Sequence, residues 1–357
     1  MNGDRNMEKR KRFVRACVVF LLAVLVAFPS DMAAIQAKAA GSTGKSKILI
    51  AYFGRFGNTN FGKNVDATSS ASIVLNSGKK QGTTEYLARQ IQKQTGGDLF
   101  RIQTKKKYPA DFDKLVGKNH EELDQNYLPA LKTKVKKMKQ YDIIFIGYPI
   151  WATDAPQAVK SFLKAYNLEG KTVIPFCTHE GSGSSGTYKQ IRKLCSGADT
   201  LDGFSVNAEK VKTKSTQEKL KSWLNRVDVK SRSAKAVPIT ITIGNRKLNG
   251  VCYNTALGKQ IMKKFPLKVT MDEFGGREYY GDVAKKDRPT KKSKGKLGFV
   301  NGDITYCFEN DTMAIFYNQS DQPDLSMRVN CIGRVTSDLS VFDKLDDSVE
   351  IVFDYKK

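Results

Sequence analysis

The chain has 357 residues, with 60 Lys and Arg against 36 Asp and Glu, and a formal charge of +24. At 40% hydrophobic and 27% charged it has the apolar content to bury real cores, which excludes a disordered tail, and its length fits about two domains. A single long apolar run excludes a polytopic membrane protein, and the charge speaks about partners, not about fold.

Residues 1–39 read as a secretory signal peptide. Lys9, Arg10, Lys11, Arg12 and Arg15 cluster at the start, Ala16 to Phe28 carry no charge, and Ala37-Lys38-Ala39 has the small-x-small form of a cleavage site. The uncharged run is 13 residues, about 20 Å as a helix against a hydrocarbon core of about 30 Å. An uncleaved N-terminal anchor is the other reading, and the only expected membrane contact. Cys17 stands at the start of the apolar run, where a lipid-modified cysteine would not lie. A secreted or cell-surface location is expected. Without residues 1–39 the chain keeps 53 basic and 33 acidic residues, +20. Its cysteines, Cys177, Cys195, Cys252, Cys307 and Cys331, are odd in number and lack a C-x-x-C pair, so buried thiols are expected rather than a disulfide scaffold. With only His120 and His179, a zinc site is excluded.

From Lys47 short apolar runs alternate with amphipathic stretches. Strands are expected at 47–53, 98–103, 141–149, 171–179 and 201–206. Helices are expected at 83–97, 155–166 (Pro156 in the first turn), 188–197 and 215–227, with scattered helical periodicity over 111–139. Strands alternating with helices indicate a parallel sheet covered on both faces. Residues 228–237, DVKSRSAKAV, are polar and unpatterned and read as a linker. Beyond Pro238 the pattern turns to strand alternation with Asn/Gly/Asp turns and one short helix at 254–265, a mainly β domain of residues 238–357 expected to be a small barrel.

Three loops, GRFGNTN (54–60), PIWATDAP (149–156) and THEGSGSSGT (178–187), fall at the carboxyl ends of expected strands, the edge where open parallel sheets take their ligands. Two other motifs are set aside. Gly181 to Gly186 spells G-x-G-x-x-G but follows the fourth strand, and a dinucleotide fingerprint belongs after the first. Gly44-Lys45-Ser46 ends like a P-loop, but Ala39 holds the place of the required glycine.

The segments ILIAYFGRFGNT, DIIFIGYPIWATDAPQAVKSFL and GKTVIPFCTHEGSGSSG resemble the three cofactor loops of the flavodoxin family in order and spacing, over about residues 46–227. That resemblance implies an α/β fold, a five-stranded parallel sheet of order 2-1-3-4-5, holding one FMN. Gly54, Arg55, Gly57, Asn58 and Thr59 offer donors for the phosphate, and Thr83 and Thr84 join them at a helix start that follows an insertion of about 23 residues, Asn60 to Gly82. Trp151 is placed to stack on the isoalloxazine, framed by Pro149, Ile150, Ala152 and Thr153. Thr178, His179, Glu180, Gly181 and Gly183 would line the other side, with His179 read as a loop hydrogen-bonder. No residue is assigned as catalytic, because the cofactor carries the chemistry.

GDITYCFENDTMAIFYN, the Gly-Arg of CIGRVTS and the final strand DSVEIVFDY resemble small bacterial cyclophilin-like β-barrels over about residues 238–357. The Phe-His-Arg segment of the prolyl isomerases is absent, so a binding role is expected and not isomerase activity. Lys132 to Lys139 reads as a solvated helix face, and Lys285 to Lys296 as a basic hairpin tip. Together these features imply an exported FMN protein in electron transfer at the cell surface, whose partner is an acidic redox protein or an anionic envelope polymer rather than nucleic acid. An FMN-dependent NAD(P)H:quinone-type oxidoreductase and an FMN-free surface-binding protein remain as alternatives.

Overall fold

A computed structural model describes residues 47–61, 73–76, 79–290, 292–318 and 325–356. The expected signal peptide lies outside the described residues. From residue 46 onward, contacts gather the chain into one compact unit.

The first part of that unit is the expected parallel sheet. In chain order it is built from β1 (Lys47–Tyr52), the hairpin β2 (Ile73–Asn76) and β3 (Lys79–Gly82), α1 (Thr83–Thr95), β4 (Asp98–Arg101), α2 (Phe112–Asp124), β5 (Tyr141–Pro149), α3 (Gln157–Lys164), β6 (Thr172–His179), α4 (Thr187–Leu194), β7 (Asp199–Thr200), β8 (Phe204–Asn207) and α5 (Lys214–Val227). The lateral order is β4-β1-β5-β6, with β7 and β8 both parallel to β6, so the five strand positions run 2-1-3-4-5. The fifth position is two pieces where one strand, 201–206, was expected. The break falls at Gly203, whose hydrogen occupies a gap that a Cβ would fill only by coming within 2.6 Å of the Pro175 carbonyl.

Strand alternation sends side chains to both faces, and helices cover each face. Ile50, Tyr52, Ile143, Phe145, Ile174 and Phe176 meet α1 through Leu87, Ala88 and Ile91, and α5 through Leu220, Trp223 and Leu224. On the opposite face Leu49, Ala51, Ile144, Ile146 and Val173 pack against Leu115 of α2, Val159 and Phe162 of α3, and Ile191 of α4. Pro156 is the N-cap of α3, one position before the first-turn site expected for it.

After a helical turn, α6 (Val229–Arg232), come β9 (Ala236–Ile243), β10 (Arg246–Tyr253), α7 (Ala256–Met262), β11 (Leu267–Phe274), β12 (Glu278–Asp282), β13 (Asp303–Cys307), β14 (Thr312–Phe316), β15 (Val329–Val335) and β16 (Ser348–Tyr355). The β-strands close as an antiparallel barrel in the order β10-β15-β13-β14-β12-β11-β16-β9. Its interior is filled by Ile241, Val269, Met271, Tyr306, Ile315, Ile351, Phe353 and their neighbours, leaving a cavity of about 10 Å³, at the lower limit for one water.

Three local readings change. Lys132, Lys134, Lys136, Lys137 and Lys139 are exposed, but the chain there is irregular apart from a 3-10 turn at Met138–Gln140, although Leu131, Val135 and Met138 turn inward at a spacing a helix would also give. The basic stretch 285–296 is a long connection between β12 and β13, which are not neighbours, and not a hairpin tip. Its last lysine is held, since Lys296 Nζ donates to the Arg226 carbonyl at 2.6 Å. Within 228–237, expected as a linker, α6 places Arg232 fully inside the molecule, and Ala236 already begins β9. The five cysteines among the described residues are buried and free.

Candidate functional site

Loops and one helix start converge where β1, β5 and β6 end. The Phe53 amide donates to the Gly147 carbonyl at 2.8 Å, and the Ile150 amide to the Thr178 carbonyl at 2.8 Å. Thr84, in the first turn of α1, meets Thr178 hydroxyl to hydroxyl at 2.9 Å, and both are buried. Gly147 permits this packing, because a Cβ there would lie 2.1 Å from the Phe176 ring.

The first loop, 54–59, folds back on the segment after β4. The Asn58 side-chain amide donates to the Gly54 and Ile102 carbonyls, each at 2.9 Å, and its oxygen accepts the Thr104 amide at 2.9 Å. Its backbone amide donates to the Arg55 carbonyl. The donors expected of Asn58 are therefore spent within the fold. Arg55 is buried and donates to the Ala110 carbonyl. Gly57 has φ +95°, and a Cβ there would strike Arg101, so the turn requires glycine. Thr59 is 5% exposed, and among the described residues its hydroxyl has no hydrogen-bond partner. A buried hydroxyl without a partner is costly, and here it marks a place for an acceptor.

Thr83 and Thr84 are first-turn residues of α1, and the N-cap is Gly82, not a threonine. The cap position carries no side chain, and the positive end of the helix macrodipole there favours an anion. Arg101 joins this helix start to the first loop. It touches Gly57, and its guanidinium donates to Glu85 at 2.6 Å.

In the second loop Trp151 and Asp154 exchange backbone hydrogen bonds at 3.0 and 2.9 Å around Ala152 (φ +47°) and Thr153 (φ +60°). Two consecutive left-handed residues, one of them β-branched, are uncommon and store strain. They lift exposed Ala152 and Thr153 to the rim, while Asp154 is held by Lys160 at 2.7 Å. Trp151 is half-buried, and its ring meets Phe53 and Tyr108 edge to face, each at 5.3 Å.

In the third loop His179 Nδ1 accepts the Gly181 amide at 2.9 Å, as a loop hydrogen-bonder does, and burial lowers its pKa. Glu180 is exposed, and Gly181 and Gly183 have positive φ with open space where a Cβ would stand.

Sequence reading missed four residues. Tyr108 lies in a lysine run yet is buried against Trp151, and its hydroxyl donates to Glu122 at 2.9 Å. Glu122 is 3% exposed, and burial raises its pKa. Gln157, at the start of α3, donates to the Glu122 carbonyl at 2.9 Å. Arg101 ends β4, a strand position that alternation alone marks only as partly buried. An FMN fits this donor set. The Thr59 hydroxyl, the α1 first turn and Arg101 suit a phosphate, and half-buried Trp151, backed by buried Phe53 and Tyr108, gives an aromatic wall for a flat ring.

Residues 72–227 match the family model described as flavodoxin, and residues 241–354 that of a cyclophilin-like family. A search of curated proteins returns no match. Among solved structures, one from Bacteroides eggerthii DSM 20697, described provisionally as a flavoprotein, is 27% identical, with 50% of this chain and 96% of that one covered and a TM-score of 0.39. A flavoprotein of Lactobacillus acidophilus NCFM in complex with FMN is 18% identical (48% and 99% covered, TM-score 0.34), and oxidised flavodoxin 1 of Bacillus cereus 16% (50% and 94%, TM-score 0.28). TM-scores this low add nothing to what the geometry shows. The family matches and the 2-1-3-4-5 sheet beside a closed barrel agree: residues 72–227 are flavodoxin-like in family match and in fold, and residues 241–354 match a cyclophilin-like family.

Proposed function

We propose that the chain is an exported FMN protein that carries electrons at the cell surface. The observation that carries this reading is the convergence of the unpaired Thr59 hydroxyl, the uncapped start of α1 and the Trp151 wall at one edge of a flavodoxin-type sheet. FMN, when bound, supplies one- and two-electron redox chemistry. The chain's part is to hold it. Thr59, Thr83, Thr84 and Arg101 take the phosphate, Trp151 covers the ring, Ala152 and Thr153 offer backbone groups to its rim, and loop 178–183 lines the far side. The excess of basic residues favours an acidic redox protein as partner, drawn in electrostatically and released as salt rises.

The visible spectrum of the purified mature chain, before and after FMN addition, tests the reading. Yellow protein with protein-bound flavin bands is expected. A colourless protein that leaves added FMN unbound sinks it. If flavin is bound, anaerobic mixing with NADH separates the classes: slow reduction supports a carrier, and fast reduction replaces it with an NAD(P)H-dependent oxidoreductase.

A further inference from the structure

Behind Trp151 lies a polar group that none of the flavin contacts uses. Tyr108 meets the Trp151 ring edge to face at 5.3 Å and donates its hydroxyl to Glu122 Oε2 at 2.9 Å. Glu122 is 3% exposed, and no ion pair among the described residues includes it. Lys118, whose charge acts on Glu122, is paired at 2.8 Å with exposed Glu121 on the same helix. The Glu122 backbone carbonyl accepts the Tyr127 amide at 2.8 Å and the Gln157 side-chain amide from α3, whose own oxygen has no partner among the described residues.

Burial with one neutral donor and no paired cation shifts a carboxyl toward its protonated form relative to an exposed one. We propose that Tyr108 and Glu122 form a proton-binding site coupled to ligand binding at Trp151, so that seating an aromatic ring there takes up one proton from solvent onto the Glu122 carboxyl. The coupling follows from position. A ring laid on Trp151 replaces solvent beyond the pair by apolar, low-dielectric material and so disfavours the carboxylate further. By linkage, whatever favours the protonated form must itself bind more tightly when that form prevails. Burial already raises the Glu122 pKa in the free chain, in the direction this requires. The identity of the ring as a flavin rests on the reading above, but the proton site does not.

Riboflavin is the suitable probe, because FMN carries a phosphate that itself titrates near pH 6. Riboflavin Kd is measured by flavin fluorescence from pH 5 to 8.5 on the full mature chain, with FMN in parallel. For the wild type, Kd is expected to rise with pH, by up to about tenfold per unit where the slope is steepest. Glu122→Gln keeps an acceptor for Tyr108 and should flatten the profile. Tyr108→Phe removes a donor that favours the carboxylate, so the rise should begin at higher pH. Equal profiles for wild type and Glu122→Gln overturn the proposal. A second readout needs no flavin. In a Trp223→Phe background, Trp151 emission of the ligand-free chain should show a transition above the ordinary carboxylate range that Glu122→Gln abolishes. If neither riboflavin nor FMN binds, the flavin reading fails, and this titration still decides on the pair: a flat trace overturns it.

Discussion

Arg232 and Asp303 form an ion pair at 2.5 Å with both side chains fully buried, one at the end of α6 beyond the parallel sheet and the other at the start of β13 in the barrel. Arg232 also donates to the Val227 carbonyl at 2.5 Å and to the Tyr253 hydroxyl at 2.7 Å, while Asp303 accepts the Val300 amide at 3.1 Å. A second pair, Arg334 with Asp199 at 2.5 Å, links β15 to β7, and Val300 packs into the sheet's own core. Arg334 is the arginine of the Gly-Arg pair in CIGRVTS, within β15, and it is engaged with the sheet.

A buried charge left without its partner costs about 3–5 kcal/mol, whereas replacing both by apolar groups of similar size is often neutral. Asp303→Asn should therefore lower the stability of the whole chain by several kcal/mol, and Arg232→Met with Asp303→Leu should recover most of it. Urea unfolding followed by Trp223 fluorescence in the sheet and far-ultraviolet dichroism should give one shared transition. Two separate transitions would show that the parts are not welded.

His179 gives a pH dependence of fixed sign. Burial lowers its folded pKa below the unfolded value of about 6.5. The unfolded chain thus binds the proton first as pH falls, so the stability tied to neutral His179 is complete above pH 6.5 and is lost as pH drops through the folded pKa. The proton would also displace the Gly181 amide from Nδ1. Thermal melts at pH 5 and pH 7.5 should show a smaller loss on acidification for His179→Gln than for the wild type. An identical loss would exclude His179 as the cause.

Trp151 should report directly on the ring site. Its edge-to-face contacts with Phe53 and Tyr108 fix the indole without enclosing it. Trp151→Ala is expected to weaken FMN binding by about 1–3 kcal/mol, as loss of a stacking wall does. Isothermal titration measures this; unchanged affinity would make Trp151 a core residue.

Local pattern carried the sheet and the barrel. The strand at 141–149 is a continuous apolar run with turns at both ends, and β9 to β16 alternate with Asn, Gly and Asp turns, so period and punctuation agree. The second and third loops were legible because each directly follows such a strand. What stayed hidden depends on contacts between distant residues. Nothing in KKKYPAD marks Tyr108 as buried; that comes from the hydrogen bond its backbone amide donates to the Asn58 carbonyl, fifty positions away in sequence. Glu121 and Glu122 are adjacent and chemically alike, yet one faces water and the other Tyr108, because helix phase relative to α3 decides it. The run 228–237 looked polar and structureless for the same reason: the partner that makes its arginine a core residue lies in β13.

Thr59 supports a prediction in which stability and affinity move in opposite directions. Its hydroxyl is buried in the first loop without a partner, beside the segment carrying Tyr108 and within the loop that touches Arg101 at Gly57. Thr59→Val keeps the shape and removes the unsatisfied polar atom, so the ligand-free chain should gain on the order of 1 kcal/mol. If that hydroxyl waits for a phosphate oxygen, the same change removes a charge-assisted hydrogen bond and should weaken FMN by about 1.5–3 kcal/mol. Riboflavin, which has no phosphate, should bind both forms alike. A purely structural Thr59 would change stability and leave the FMN-to-riboflavin affinity ratio untouched, so that ratio, and not the melting temperature, decides the role of the hydroxyl.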